Sequence, residues 1–254
     1  MGAMGVKRLL YVTDLKDVNV SFHVLENVSA IQREGCTTIS LLTSDSAEWR
    51  SMVSKSGMDV STRVLPAVSV SAILSVAETE AVSMVVLCVR NSLREKIVAG
   101  LMERASVPIL VHGYGGADKG ILQHVIIGMD WEAPSEKALK FTLDLRDMIG
   151  ELDMIHVIDE KLTVKGMREL RERLAVTRKV CLDKGVDAEF HIYAGKTGDE
   201  IVTAAKDYRG TSIILGIEPR KSFIGRWFHK GTAHVVAEKS EIPLFLIPSG
   251  IKSA

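Results

Sequence analysis

Short apolar runs recur along the chain, and most end in an aspartate, a glycine or another small or polar residue. In the first half they are "RLLYVTD" (8–14), "TTISLLTSD" (37–45), "DVSTRVLPA" (59–67), "SMVVLC" (83–88) and "VPILVHG" (107–113). In the second half "HVIIGMD" (124–130), "LDMIHVID" (152–159), "DAEFHIYAG" (187–195), "SIILG" (212–216) and "IPLFLIP" (242–248) answer them in the same order. Apolar runs of about 4–8 residues, rich in Val, Ile and Leu, predict strands. The continuous ones suit a sheet covered on both faces.

Between the runs the period becomes helical. Ala138, Phe141, Thr142, Leu145 and Met148 share one face after "EAPSE", with Pro134 in the first turn, where its missing N–H is not needed. Met167, Leu170, Leu174, Thr177 and Cys181 share another face, and Gly185 stops that helix. "TGDE" (197–200) reads as a capping box, with Thr197 as the cap and Glu200 reaching back. Alternating strands and helices predict parallel pairing through right-handed crossovers. The expected fold is therefore α/β: two doubly wound five-stranded parallel-sheet domains in tandem, over 6–113 and 121–250. The Gly-rich "HGYGGADKG" (112–120) separates them.

One place distinguishes the copies. The offset between them grows from 128 at Ser83 and Thr211 to 135 at Pro108 and Pro243, so the second copy has seven extra residues there. They fall in "GIEPRKSFIGRWFHKGT" (216–232). Ligands of doubly wound sheets bind beyond the carboxyl ends of the strands, and a loop after the fourth strand can cover that crevice. Gly216 would admit a ligand without a Cβ clash. Gly231 and Thr232 precede the helical "AHVVAEKS", whose N-terminus would offer N–H groups and partial positive charge to a phosphate. Arg220, Lys221, Arg226 and Lys230 add charge, countered by Glu218. A plain surface crossover with solvated charges is the competing reading. Phe223, Ile224, Trp227 and Phe228 are expected to pack as a short helix on the domain, or else to form a partner contact.

Composition narrows the function. Net charge is zero, and Met1–Lys119 alone balances 12 basic against 12 acidic residues. Neither a nucleic-acid grip nor an electrostatic membrane anchor is expected. No apolar run reaches the roughly 18 residues of a membrane helix, and the N-terminus shows no signal-peptide pattern. Cys36, Cys88 and Cys181 are too scattered for a disulfide framework or a zinc site, which suggests a reducing compartment, the cytoplasm. His156, in mid-strand, is expected to be a satisfied core histidine. No nucleophile–base–acid set and no metal cluster emerges, so the protein is not expected to be an enzyme.

The second half resembles a universal stress protein domain, and the chain a tandem member of that family. The resemblance rests on Asp130 with "WEAPSEKAL", on "IHVID" (155–159), "AGKTGDEI" (194–201), Gly216 and "GTAHVVAEKSEIPLFLIP" (231–248). The first half matches more loosely, through "YVTDL" and "VPILV". This resemblance implies sheets of order 3-2-1-4-5, of the adenine nucleotide alpha hydrolase-like type, often dimerised through the last strand. The partners it implies are an intrachain domain pairing or a homodimer through Val107–Val111 and Ile242–Ile247, and an unidentified protein; nucleic acid and membrane are not expected.

Some members bind ATP through Gly-x-x-Gly, nine residues, then Gly-Ser or Gly-Thr; others lack the motif. Here Gly216 and Gly231-Thr232 are kept, Pro219 replaces the second glycine, and the spacing is two residues longer. By resemblance Asp130 faces a ribose, with Gly128 and Met129 at the same strand end, and the Val157 backbone meets the adenine edge. Leu215, Gly216, Gly231, Thr232, Ala233 and His234 surround the phosphates, and Ser222 replaces donors lost at Pro219. The implied ligand is ATP, ADP or AMP, with or without magnesium, in a regulatory stress-response role with at most weak ATP hydrolysis. The alternative is a nucleotide-free module that binds another protein. The first half runs from Cys88 through "VRNSLREKIVAG" into a helix with no Gly-flanked turn, so no phosphate site is expected there.

Overall fold

A computed structural model describes residues 8–14, 18–29, 31, 38–43, 49, 51, 60–64, 68–112, 120–158, 162–219 and 231–250. All ten expected strands form. The first half supplies β1 (Arg8–Thr13), β2 (Thr38–Thr43), β3 (Val60–Val64), β4 (Met84–Cys88) and β5 (Ile109–Val111). The second supplies β6 (His124–Gly128), β7 (Glu151–Ile158), β8 (Ala188–Ala194), β9 (Ser212–Ile217) and β10 (Leu244–Pro248). They make one sheet in the order β3-β2-β1-β4-β5-β10-β9-β6-β7-β8. Each half is parallel and keeps the order 3-2-1-4-5.

The halves meet where β5 and β10 run antiparallel, with Leu110 opposite Phe245. The last strands thus pair within the chain. Pro108 and Pro243 stand just before them, and their carbonyls still accept from Val85 and Ile213 N–H. A proline at a strand's entrance gives up no ladder bond that its neighbour needs.

The described helices are α1 (Val18–Ser29), α2 (Val70–Thr79), α3 (Asn91–Arg104), α4 (Ala133–Asp144), α5 (Val164–Asp183), α6 (Thr197–Asp207) and α7 (Thr232–Lys239). Pro134 opens α4, which buries Ala138, Phe141 and Thr142. The helix ends before Leu145 and Met148, which continue its apolar face in a cap and a 3-10 turn. Thr163 caps α5 by accepting from Gly166 N–H at 3.1 Å, and Gly185 ends it at φ +80°. The capping box at α6 does not form. Lys196 is the N-cap and Thr197 already lies inside the helix, while the Glu200 carboxylate packs over Gly195, at φ +150°.

Alternate strand residues enter two cores, one per face of the sheet. Leu9, Tyr11, Val125, Ile127, Phe141 and Phe245 belong to one; Leu10, Val12, Ile126, Ile213 and Leu246 belong to the other. Burial on both faces explains why these strands read as unbroken apolar runs. Cys88 and Cys181 are buried free thiols, and Cys36 lies outside the described residues. No helix among the described residues is long and apolar enough to cross a membrane.

Candidate nucleotide site at the strand ends

The chain runs from β6 to β7 and β8 on one side, then returns to β9 and β10 on the other. The order therefore reverses between β6 and β9, and that switch point is where doubly wound sheets take ligands. Met129 and Asp130 follow β6, Val157 lies near the end of β7, and Leu215 and Gly216 lie near the end of β9. Thr232 opens α7. Most of the expected set is thus drawn to one edge. Ser222, and with it residues 220–230 including Phe223, Trp227 and Phe228, lies outside the described residues.

Asp130 is exposed and ends its strand in a tight turn. Its Oδ1 accepts from Glu132 N–H at 2.9 Å and from Ser135 Oγ at 2.6 Å. Its Oδ2 has no partner among the described residues. Trp131 follows at φ +61°, a conformation that costs a bulky residue on the order of 1–3 kcal/mol. Its ring offsets that cost: Nε1 donates to Thr177 Oγ1 at 2.9 Å, Arg173 lies over one face, and His156 packs 4.9 Å away. His156 Nδ1 is 2.8 Å from the Met129 carbonyl, which only accepts, so Nδ1 carries the proton. His156 is a satisfied histidine that pins the strand end.

The glycines play different parts. A Cβ on Gly216 would overlap the Pro134 carbonyl and the Ser135 nitrogen, so the close approach it permits is to the first turn of α4. Gly128 is packed under Leu215 and Ile201. Gly231, at φ −80°, is in contrast a position where a Cβ would meet none of the described residues within 4 Å. It is the N-cap of α7, whose first helical bond runs from Val235 N–H, and no side chain caps the helix. Gly231 and His234 are exposed, Thr232 is half-buried and Ala233 is in the core. Among the described residues no side chain caps the first-turn N–H groups, and groups of this kind suit an anion.

The first half holds its strand-end aspartate differently. Its helix after the fourth strand, α3, is six residues longer than α7 and starts at once after β4, with Arg90 as N-cap. Arg90 donates to Asp14 twice, from N–H to Oδ1 and from Nε to Oδ2, each at 2.8 Å. Asp14, the counterpart of Asp130, is 7% exposed. Nothing in the sequence pattern announces this lock, because it joins residues far apart through a helix cap.

A further cleft lies elsewhere, between α4 and α5. It holds about 700 Å³ over Met129, Trp131, Leu139 and Val176, with Lys140 and Arg173 at its rim.

Two doubly wound parallel halves, joined in one sheet through their last strands, define the class of α/β protein. The chain belongs to the universal stress protein family: residues 122–248 match the model described as "Universal stress protein family". A search of curated proteins finds no match. Among solved structures, the chain is similar to a universal stress protein from Archaeoglobus fulgidus DSM 4304, at 18% identity and TM-score 0.72, over 98% of this chain and 100% of that one. It is also similar to a functionally unknown protein from Pseudomonas aeruginosa PAO1, at 14% identity and TM-score 0.70, over 98% and 94%. The universal stress protein from Archaeoglobus fulgidus in complex with dAMP covers 50% of this chain with 98% of its own, at 19% identity and TM-score 0.40. At these identities the likeness is one of fold.

Proposed function

We propose that the chain is two domains, 6–113 and 121–250, of which the second binds an adenine nucleotide as a regulatory ligand. The observation that carries this reading is the contrast between equivalent places. Asp14 is buried and held by Arg90, whereas Asp130 is exposed and, among the described residues, its Oδ2 has no partner and no side chain caps α7. A carboxylate able to accept from a ribose hydroxyl, together with helix N–H groups able to hold a phosphate, suits a nucleotide. Asp130, the Val157 backbone and the Gly216–Gly231 edge then form the site, with Thr232 and His234 nearest the phosphates. Pro219 lacks an N–H, so AMP or ADP loses less than ATP through it.

The test obstructs the head of α7. Gly231→Arg places a long cationic side chain at the head of α7, where a Cβ would meet none of the described residues within 4 Å. Calorimetry with AMP, ADP and ATP is expected to show one site in the parent chain and none in Gly231→Arg, with unchanged circular dichroism. Equal affinity in both would remove the site from this edge.

A second reading, a protein-interaction module without nucleotide, draws on α5. Val164 and Val176 are 84% and 65% exposed there, beside the cleft against α4. Absence of nucleotide heat in the parent chain would favour it.

A further inference from the structure

The sequence offers no run of metal ligands, yet strand pairing assembles a set toward the amino-terminal ends of β6 and β7, away from Asp130. His124 opens β6, Asp153 lies in β7, and Glu189 and His191 lie in β8, with Glu189 directly opposite Asp153. Asp153 is 5% exposed, and its carboxylate sits between two imidazoles. Oδ2 is 2.8 Å from His124 Nε2, and Oδ1 is 3.3 Å from His191 Nε2. Glu189 Oε2 is 3.8 Å from the same His191 nitrogen. One donor atom each from Asp153, Glu189 and His191 lies within 4.8 Å of the others.

The two spacings on Asp153 differ in kind. The 2.8 Å contact to His124 has the length of a charge-assisted hydrogen bond. The 3.3 Å spacing to His191 is long for such a bond. It matches the edge, about 3.3–3.4 Å, of a tetrahedron with metal–N and metal–O bonds of about 2.0–2.1 Å. Both ligands are also fixed from behind. His191 Nδ1 is 3.0 Å from Tyr208 Oη, and the two rings stack at 4.1 Å. The remaining Asp153 oxygen is held by His124, whose Nδ1 faces Glu151 at 3.4 Å. Outer partners of this kind set the orientation and tautomer of metal ligands.

Charge points the same way. Glu151, Asp153 and Glu189 put three carboxylates around two imidazoles, and among the described residues no Lys or Arg pairs with them. Glu189, with its side chain 78% exposed, provides a movable third donor and a route from solvent. We infer that Asp153, Glu189 and His191 bind a divalent ion of the zinc class, whose mixed nitrogen and oxygen preference fits this set, with water completing the shell. On binding, His191 presents a bare Nε2 to the ion and donates from Nδ1–H to Tyr208 Oη.

The test uses the untagged full chain, stripped with chelator and free of nucleotide, titrated with Zn²⁺ by calorimetry and with Co²⁺ by visible absorption. Saturable binding of a single ion is expected, with the intense cobalt bands of a low-coordinate site. Glu189→Gln and His191→Gln should each weaken it about tenfold or more, and Tyr208→Phe about tenfold through the lost outer contact. His23→Ala, at an exposed histidine of α1, should leave it unchanged. No saturable binding, or equal binding in Glu189→Gln, overturns the site; the exposed Glu189 variant serves even if His191→Gln does not fold.

Discussion

Gly216 in β9 lies so close to Pro134 in the first turn of α4 that a side chain at Gly216 would have to displace the Pro134 backbone. The contact joins the fourth strand of the second half to the helix that follows Asp130. Gly216→Ala is therefore expected to destabilise the protein by about 1–3 kcal/mol, the usual cost of overpacking, and to weaken nucleotide binding by moving Ser135 and hence Asp130. Urea unfolding and calorimetry on the same variant check both effects. An unchanged midpoint would mean that the helix start yields freely.

Asp130 and Asp14 should respond oppositely to removal. Asp130→Ala is expected to lower nucleotide affinity by about tenfold or more, with stability changed by about 1 kcal/mol from the lost turn bond. Arg90→Ala should leave affinity unaltered but cost about 1–3 kcal/mol, because Asp14 stays buried with one fewer donor. Parallel calorimetry and denaturant melts separate the two; loss of affinity in Arg90→Ala would shift the site to the first half.

The seam between the halves has its own test. Phe245 is fully buried, stands opposite Leu110 across the antiparallel pair, and packs its ring 6.0 Å from that of Phe141. Phe245→Ala should cost about 3–5 kcal/mol. Because both halves share this strand pair, hydrogen exchange should quicken at Ile109–Val111 as well as at Leu244–Pro248. Faster exchange confined to the second half would show that the seam carries no coupling.

Burial pushes the Cys181 thiol up to about 11 from its usual 9.0. The folded chain then holds that proton where the unfolded chain has released it. The stability from this group is complete below pH 9 and declines as pH rises toward 11, by up to about 1.4 kcal/mol per unit. Urea melts of the parent and Cys181→Ala across this window should converge as pH rises. Iodoacetamide should also leave native Cys181 unmodified at neutral pH, since little thiolate forms.

Much of the fold can be read from residues alone, for a physical reason. A strand buried on both faces must be apolar throughout, so β4, β9 and β10 show plainly in "SMVVLC", "SIILG" and "IPLFLIP". The antiparallel seam is foreshadowed too, by apolar runs that each follow a proline. Finer features depend on single positions. "TGDE" has the residues of a capping box, but the helix begins one residue early and Lys196 takes the cap. Arg90 on Asp14, and the gathering of His124, Asp153, Glu189 and His191, depend on a helix cap and on strand register. Neither leaves a periodic trace in the sequence. Gly216 reads as room for a ligand, whereas the neighbouring helix fills that room.

The antiparallel joint between β5 and β10 also changes how the assembly responds to its surroundings. Two separate chains that met along such strands would come apart on dilution, since their pairing would follow mass action. Here one polypeptide carries both sides, so the pairing persists at any abundance of the protein. With partnership guaranteed by covalent linkage, the halves need not stay alike: one can hold its strand-end aspartate with an arginine while the other leaves its own exposed.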